Sequence, residues 1–248
     1  MGRFLAAVRF LTVLPIPGTA GNAEDDLAGG VPLFPVVGAL IGVVAAAAAF
    51  GLGKVLPPMP ASVLAAILLA AVSGGLHLDG LSDTADGFFS ARTRERMLEI
   101  MRDSHVGAMG VIAIVCVLLL KVAALASVPR PTMWRAAFLM PLAGRCALVV
   151  TMALLPYARA EGGLGTVFYR RRPRLAALWA IAVLAGVGYL ALGIVGLIAA
   201  GASLMVTMAF AAYTYRKIRG TTGDTLGAAC ELAEVVPALI LAGWTWTV

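Results

Sequence analysis

The sequence predicts an all-α, polytopic integral membrane bundle of about seven transmembrane helices plus an N-terminal interfacial segment. Three observations predict it. Of the 248 residues, 61% are hydrophobic and only 13% charged, whereas soluble domains carry about 25% charged residues. The mean hydropathy is +0.95. Several apolar stretches approach the ~20 residues a helix needs to cross a bilayer. The 28 glycines and 13 prolines suit helices that pack closely or bend within a membrane.

From the N-terminus, Met1 to Gly18 does not read as a signal peptide. Arg9 interrupts its apolar run, and Pro15 and Pro17 follow. An amphipathic segment in the interface fits better. The expected spans lie near 33–56, 61–78, 107–127, 134–155, 175–192, 194–215 and 229–247. Gly193 and Gly196 mark the break between the fifth and sixth. The longest polar stretch, Asp79 to Val106, follows the second span. With no composition shift or long linker, the chain reads as one integral membrane catalytic domain, residues 1–248. Gly38 and Gly42 permit close helix contact, within the bundle or in a homo-oligomer.

The charges orient these spans. Basic residues gather in the N-terminal arm (Arg3, Arg9) and after span two (Arg92, Arg94, Arg96, Arg102). Others follow span four (Arg159, Arg170, Arg171, Arg172, Arg174) and span six (Arg216, Lys217, Arg219). With seven spans, these segments share one side, which the positive-inside rule makes cytoplasmic. Only Lys54, Lys121, Arg130, Arg135 and Arg145 fall elsewhere. All 13 acids fall on the cytoplasmic side of this scheme. Chemistry that needs carboxylates therefore belongs to that face. The net charge of +6 holds loops inside and meets anionic lipid; it does not mark a nucleic-acid binder. Cys116, Cys146 and Cys230 lie apart in apolar surroundings and read as buried small side chains, not as a disulfide frame or zinc site.

Within the polar stretch, His77-Leu78-Asp79-Gly80-Leu81-Ser82-Asp83-Thr84-Ala85-Asp86-Gly87 sets Asp79, Asp83 and Asp86 at spacing i, i+4, i+7. On a helix that puts three carboxylates on one face. A solvated helix end is the plain reading. Hard divalent cations, magnesium above all, give the functional one, since they take carboxylate oxygens together with substrate phosphates. His77 is either a packed polar group or a phosphate donor and proton relay. Arg92 to Gly110 has helical charge spacing and reads as a surface helix with ion pairs. Its arginines, Arg92 and Arg102 among them, also suit phosphate oxygens. Asp103 and Gly107, nearest the next span, are better site candidates than Arg94 or Glu95.

Arg145 within span four marks an anion site, a misplaced span boundary or a structural ion pair. The loop Tyr157-Ala158-Arg159-Ala160-Glu161-Gly162-Gly163-Leu164-Gly165 can offer backbone amides to phosphate or simply turn. After span six, Gly220-Thr221-Thr222-Gly223-Asp224 adds Gly223 to the phosphate candidates and Asp224 to the metal candidates. The apolar tail is too short to cross alone, so the last span begins near Ala228 and draws Glu231 and Glu234 toward the bilayer. Glu231 completes the candidate metal set of Asp79, Asp83, Asp86 and Asp224. Carboxylates for a metal, arginines for phosphate and no nucleophile–base pair together suit phosphoryl or phosphodiester transfer.

These motifs resemble the cobalamin synthase family, the adenosylcobinamide-GDP ribazoletransferases, over nearly the whole chain. The likeness lies in Phe10-Leu11-Thr12-Val13-Leu14-Pro15-Ile16-Pro17, Phe34-Pro35-Val36-Val37-Gly38, the run from His77 to Gly87, and Met101-Arg102-Asp103 through Gly110. Gly144-Arg145, Tyr157-Ala158-Arg159 and Thr222-Gly223-Asp224 through Glu234 complete it. The resemblance implies a magnesium-dependent enzyme of the bacterial inner membrane, late in cobalamin biosynthesis. It would join adenosylcobinamide-GDP to α-ribazole or α-ribazole 5′-phosphate, giving adenosylcobalamin or its 5′-phosphate and GMP. Asp83 to Arg92 also partly resembles the CDP-alcohol phosphotransferase motif, with one extra residue before Ala91 and the second half missing. CDP-alcohol transfer and transport of a phosphorylated solute are the alternatives.

Overall fold

The computed structural model describes residues 1–19, 21, 23–159, 164–169 and 173–247. The described residues are built from helices. They are α1 (Gly2–Leu11), α2 (Glu24–Gly30), α3 (Phe34–Val55), α4 (Pro58–Val72), α5 (Leu76–Phe88) and α6 (Arg94–Ile100). Then come α7 (Ala108–Ser127), α8 (Arg130–Leu154), α9 (Leu164–Phe168), α10 (Arg174–Leu192), α11 (Ile194–Ile218) and α12 (Gly223–Thr247). Among the described residues, six helical segments are long and apolar enough to cross a bilayer, and the bent pair α4–α5, counted as one span, makes a seventh. The all-α polytopic expectation holds.

Local sequence sets the boundaries. Proline occupies the first turn of α3, α4 and α8, where its missing N–H leaves nothing unpaired. Gly193 separates α10 from α11 at φ +59°, which confirms the split expected there. The second span departs from expectation. It does not run straight through 61–78, because Gly74 and Gly75 adopt φ of +61° and +74°. The chain turns by 89° between α4 and α5. The aspartate stripe therefore lies on a helix of its own, laid across one end of the bundle.

The core is centred on α8, which packs against α3, α12, α10 and α11. A Cβ at Gly38 would stand 2.9 Å from the Pro141 carbonyl oxygen, and one at Gly42 would meet that of Phe138. Both glycines are thus spent on the α3–α8 contact, which answers the choice between bundle and oligomer for this pair. The outward faces of α3, α7 and α10 expose Leu40, Val43, Leu119, Leu120, Leu178 and Leu190, as helices bathed in lipid do. Cys146 and Cys230 are buried as expected, but Cys116 is exposed, because it sits on the peripheral α7.

Candidate functional site

The site is assembled where α5 crosses the start of α12. A Cβ at Gly80 would stand 2.7 Å from the Asp224 carbonyl oxygen, and one at Gly227 would stand 3.1 Å from that of His77. Only glycine lets the backbones approach so closely. The crossing brings Asp224 beside the stripe although more than a hundred residues separate them. The negative charges of Asp79, Asp224 and Asp86 all bear on Asp83, opposed by the positive charge of Arg159.

Each carboxylate is held differently. Asp86 accepts from the backbone N–H groups of Gly107 at 2.7 Å and Gly110 at 2.9 Å, capping the start of α7. Asp224 accepts from Arg159 Nη2 at 2.8 Å and from the Thr222 hydroxyl at 3.1 Å. Asp83 is half-buried and Asp79 exposed. His77 is buried, and among the described residues its Nδ1 has no hydrogen-bond partner.

Backbone straps place Arg159. The Ala158 N–H donates to the Thr221 carbonyl at 2.9 Å, and the Thr221 N–H donates to the Pro156 carbonyl at 2.8 Å. These bonds tie the segment after α8 to the connection between α11 and α12. Arg94 locks both, donating to the Ala158 carbonyl at 2.8 Å and the Ile218 carbonyl at 2.8 Å. Lys217 donates to the Phe88 carbonyl at 2.8 Å and pins the end of α5. Sequence reasoning ranked Arg94 low. No sequence signal marks a side chain whose partners are distant carbonyls. Arg94, Arg102 and Arg159 share the wall of a surface hollow of about 280 Å³.

Several expected site residues are held elsewhere. Glu231 accepts from Lys121 at 2.7 Å, and Glu234 accepts from Lys121 at 2.8 Å and from Arg145 at 2.5 Å. These four buried charges bond one another across α7, α8 and α12. Glu231 therefore ties α12 to α7 and Arg145 ties α8 to α12, and neither bonds to the stripe among the described residues. Their place follows from α12 beginning at Gly223 rather than near Ala228, which carries both glutamates into the bundle. Asp103 is exposed and accepts from His105 at 2.5 Å. The hydrogen bond from His105 holds the Asp103 carboxyl below its usual range, and Asp103 in turn raises the His105 imidazole. Arg92 is exposed in the connection between α5 and α6, and Gly223 is exposed at the head of α12. The glycines of the loop after Arg159, Gly162 and Gly163, lie outside the described residues.

Two hollows open beside the aspartates. One, of about 190 Å³, is lined by Phe10, His77, Asp79, Leu148, Met152, Phe168, Gly223, Asp224 and apolar neighbours. The other, of about 630 Å³, is more open; it shares Phe10, Leu76 and Asp79 with the first and reaches Arg9 and Val106. Asp79 borders both.

Among the described residues, no three His, Cys, Asp or Glu side chains stand close enough to enclose an ion by themselves. The donor chemistry still fits magnesium. That ion is usually held by one or two carboxylates, with waters and substrate phosphates completing its shell. Asp79 and Asp83 supply oxygens that make no ion pair among the described residues, in a cluster whose mutual repulsion a dication relieves.

The chain matches the family described as cobalamin-5-phosphate synthase over residues 3–242. It is 40% identical over 232 residues to an adenosylcobinamide-GDP ribazoletransferase of Acetivibrio thermocellus, covering 94% of each chain. It is 40% identical over 238 residues to one of Desulforamulus reducens, covering 96% of this chain and 95% of the relative. One from Roseiflexus sp. is 42% identical over 236 residues, covering 93% of this chain and 85% of the relative. No solved structure gives a significant match.

Proposed function

The chain belongs to the cobalamin-5-phosphate synthase family, and from that premise we propose that it is a magnesium-dependent ribazole transferase. It joins adenosylcobinamide-GDP to α-ribazole or α-ribazole 5′-phosphate and releases GMP. The convergence of Asp79, Asp83 and Asp86 with Asp224 and its partner Arg159 carries this reading. Full-length similarity to named ribazoletransferases favours it over CDP-alcohol transfer and over solute transport.

Asp83, with Asp224 beside it, would hold the metal, one or two carboxylates being the usual protein share of a magnesium shell. When bound it neutralises pyrophosphate charge, as in other phosphoryl transfers. A ribazole hydroxyl oxygen forms the new bond to the phosphorus attached to cobinamide. The bond from that phosphorus to the bridging oxygen breaks, and GMP leaves with the electron pair. Asp79 accepts the hydroxyl proton, since it borders both hollows and makes no ion pair among the described residues. Arg159 is anchored on Asp224 and offers its remaining N–H groups to the leaving phosphate. Asp86 keeps the start of α7 in register with α5. The arginine-rich end of the bundle faces the cytoplasm of a bacterial inner membrane, where nucleotide substrates are found.

Purified protein with magnesium, adenosylcobinamide-GDP and α-ribazole releases GMP, followed by chromatography. Asp79→Asn lowers turnover about 10²–10⁴-fold, the usual contribution of a positioned base. Asp83→Asn abolishes turnover while membrane insertion is unchanged. Full activity in chelator, or in Asp83→Asn, overturns the metal assignment.

A further inference from the structure

The smaller hollow has a chemistry of its own. Apart from Asp79 and Asp224 at one side, its walls are apolar: Phe10, Leu76, Leu148, Met152, Phe168 and Leu226. Phe10 and Phe168 stand 4.9 Å apart between ring centroids, and they come from α1 and α9, the short helices that roof the cavity. His77 supplies one buried polar group, with Nδ1 unpartnered among the described residues. An unpaired buried polar atom is costly unless a ligand satisfies it.

We propose that this cavity is the base-specificity pocket for the acceptor nucleoside, holding its bicyclic aromatic ring against Phe10, Phe168, Leu148 and Met152. This rests on the transfer reaction proposed above. Size excludes the other substrate's bulk: pockets for whole drug-sized molecules run to about 300–1,000 Å³, and at about 190 Å³ this one takes a single ring system, never a corrin. Polarity excludes guanine, whose several donors and acceptors would face hydrocarbon. A benzimidazole already joined to ribose keeps one free ring nitrogen, an acceptor. It matches a cavity with one unpartnered imidazole nitrogen, which donates to the ligand in the Nδ1-protonated tautomer. With the ring seated there, its ribose emerges at the side where Asp79 and Asp224 stand, which puts a hydroxyl beside the proposed proton acceptor.

Leu148 is the test position, since it is buried, apolar and not part of the reacting set. Leu148→Phe narrows the pocket and Leu148→Ala widens it. The readout is kcat/KM for α-ribazole relative to the riboside of unsubstituted benzimidazole, with the KM for adenosylcobinamide-GDP measured alongside. Leu148→Phe lowers that ratio about tenfold, in line with one or two misplaced methyl groups in an apolar pocket. Leu148→Ala shifts it the other way for bulkier rings, and the KM for adenosylcobinamide-GDP stays put in both. His77→Leu erases the preference for α-ribazole over an indole riboside, which lacks the free nitrogen. An unmoved ratio in both Leu148 variants, or a change confined to adenosylcobinamide-GDP, overturns the pocket. Calorimetric binding of α-ribazole alone separates the two readings. Binding that Leu148→Phe weakens, with no GMP from the wild type, overturns the transfer reaction and upholds the pocket. Absence of both binding and GMP overturns both.

Discussion

Glu231 and Asp224 lie two helical turns apart on α12 yet answer to different forces. Asp224 stands at the mouth of the bundle, tied to Arg159 and its side chain one-fifth exposed. Glu231 is sealed among Lys121, Glu234 and Arg145, with side-chain exposures of 5% or less. Removing one member of such a set leaves a buried charge uncompensated, at a cost of about 3–5 kcal/mol. Glu231→Gln therefore lowers the thermal midpoint of the purified protein while the magnesium concentration for half-maximal activity stays unchanged. Asp224→Asn does the reverse. A raised magnesium requirement in Glu231→Gln would return that residue to the metal site. Glu95 gives the contrast at the surface: its side chain is 71% exposed and 3.6 Å from Arg94, and exposed pairs contribute about 0–1 kcal/mol. Glu95→Gln keeps activity within about twofold, and severe loss in a folded protein would enlarge the site. The sequence marks an acid near the last span as expensive, but it does not say which of two cations, on other helices, will neutralise it.

The meeting of α5 with α12 decides whether the aspartates form a site at all. Gly80→Ala forces the helices apart, since the added methyl meets backbone atoms of Asp224 at 2.7 and 3.0 Å. Overpacking of this kind costs about 1–3 kcal/mol. It also moves Asp224 away from Asp83, so activity falls further than stability. Gly51→Ala on α3 is the control, because nothing lies within 4 Å of its Cβ, and it leaves both measurements near wild type. Equal behaviour of the two variants would mean that the crossing does not position the site. At this scale the stripe itself was legible, because a period of 3.6 converts spacing into a face. The bend before it was not, since Gly74 and Gly75 sit inside an apolar run that reads equally well as one straight span. The partner of Gly80 was open too: a glycine there admits a ligand or a backbone, and only the fold shows that it is the backbone of α12.

Over the whole molecule, hydropathy made the bundle legible. Length in apolar residues counts passages, because it follows from the cost of moving polar groups through hydrocarbon, and the distribution of arginine gives an orientation for labelling to test. What stayed hidden was which loops touch, since Arg94, Arg159 and Lys217 act on carbonyls and carboxylates brought close by the packing of other helices. The same packing yields a global prediction. The ends of α8 and α11 and the starts of α7 and α12 all contact α5 or its straps, so the site shares one face with Arg94, Arg102, Arg159 and Lys217. Single cysteines replacing Arg92 and Arg216, in a background with Cys116, Cys146 and Cys230 changed to serine or alanine, test the orientation in intact cells. Both positions resist a membrane-impermeant maleimide until the membrane is opened, whereas a cysteine at Pro57, between α3 and α4, reacts from outside. Labelling of the Arg92 position in sealed cells would invert the bundle and place the carboxylates where no cytoplasmic nucleotide reaches them.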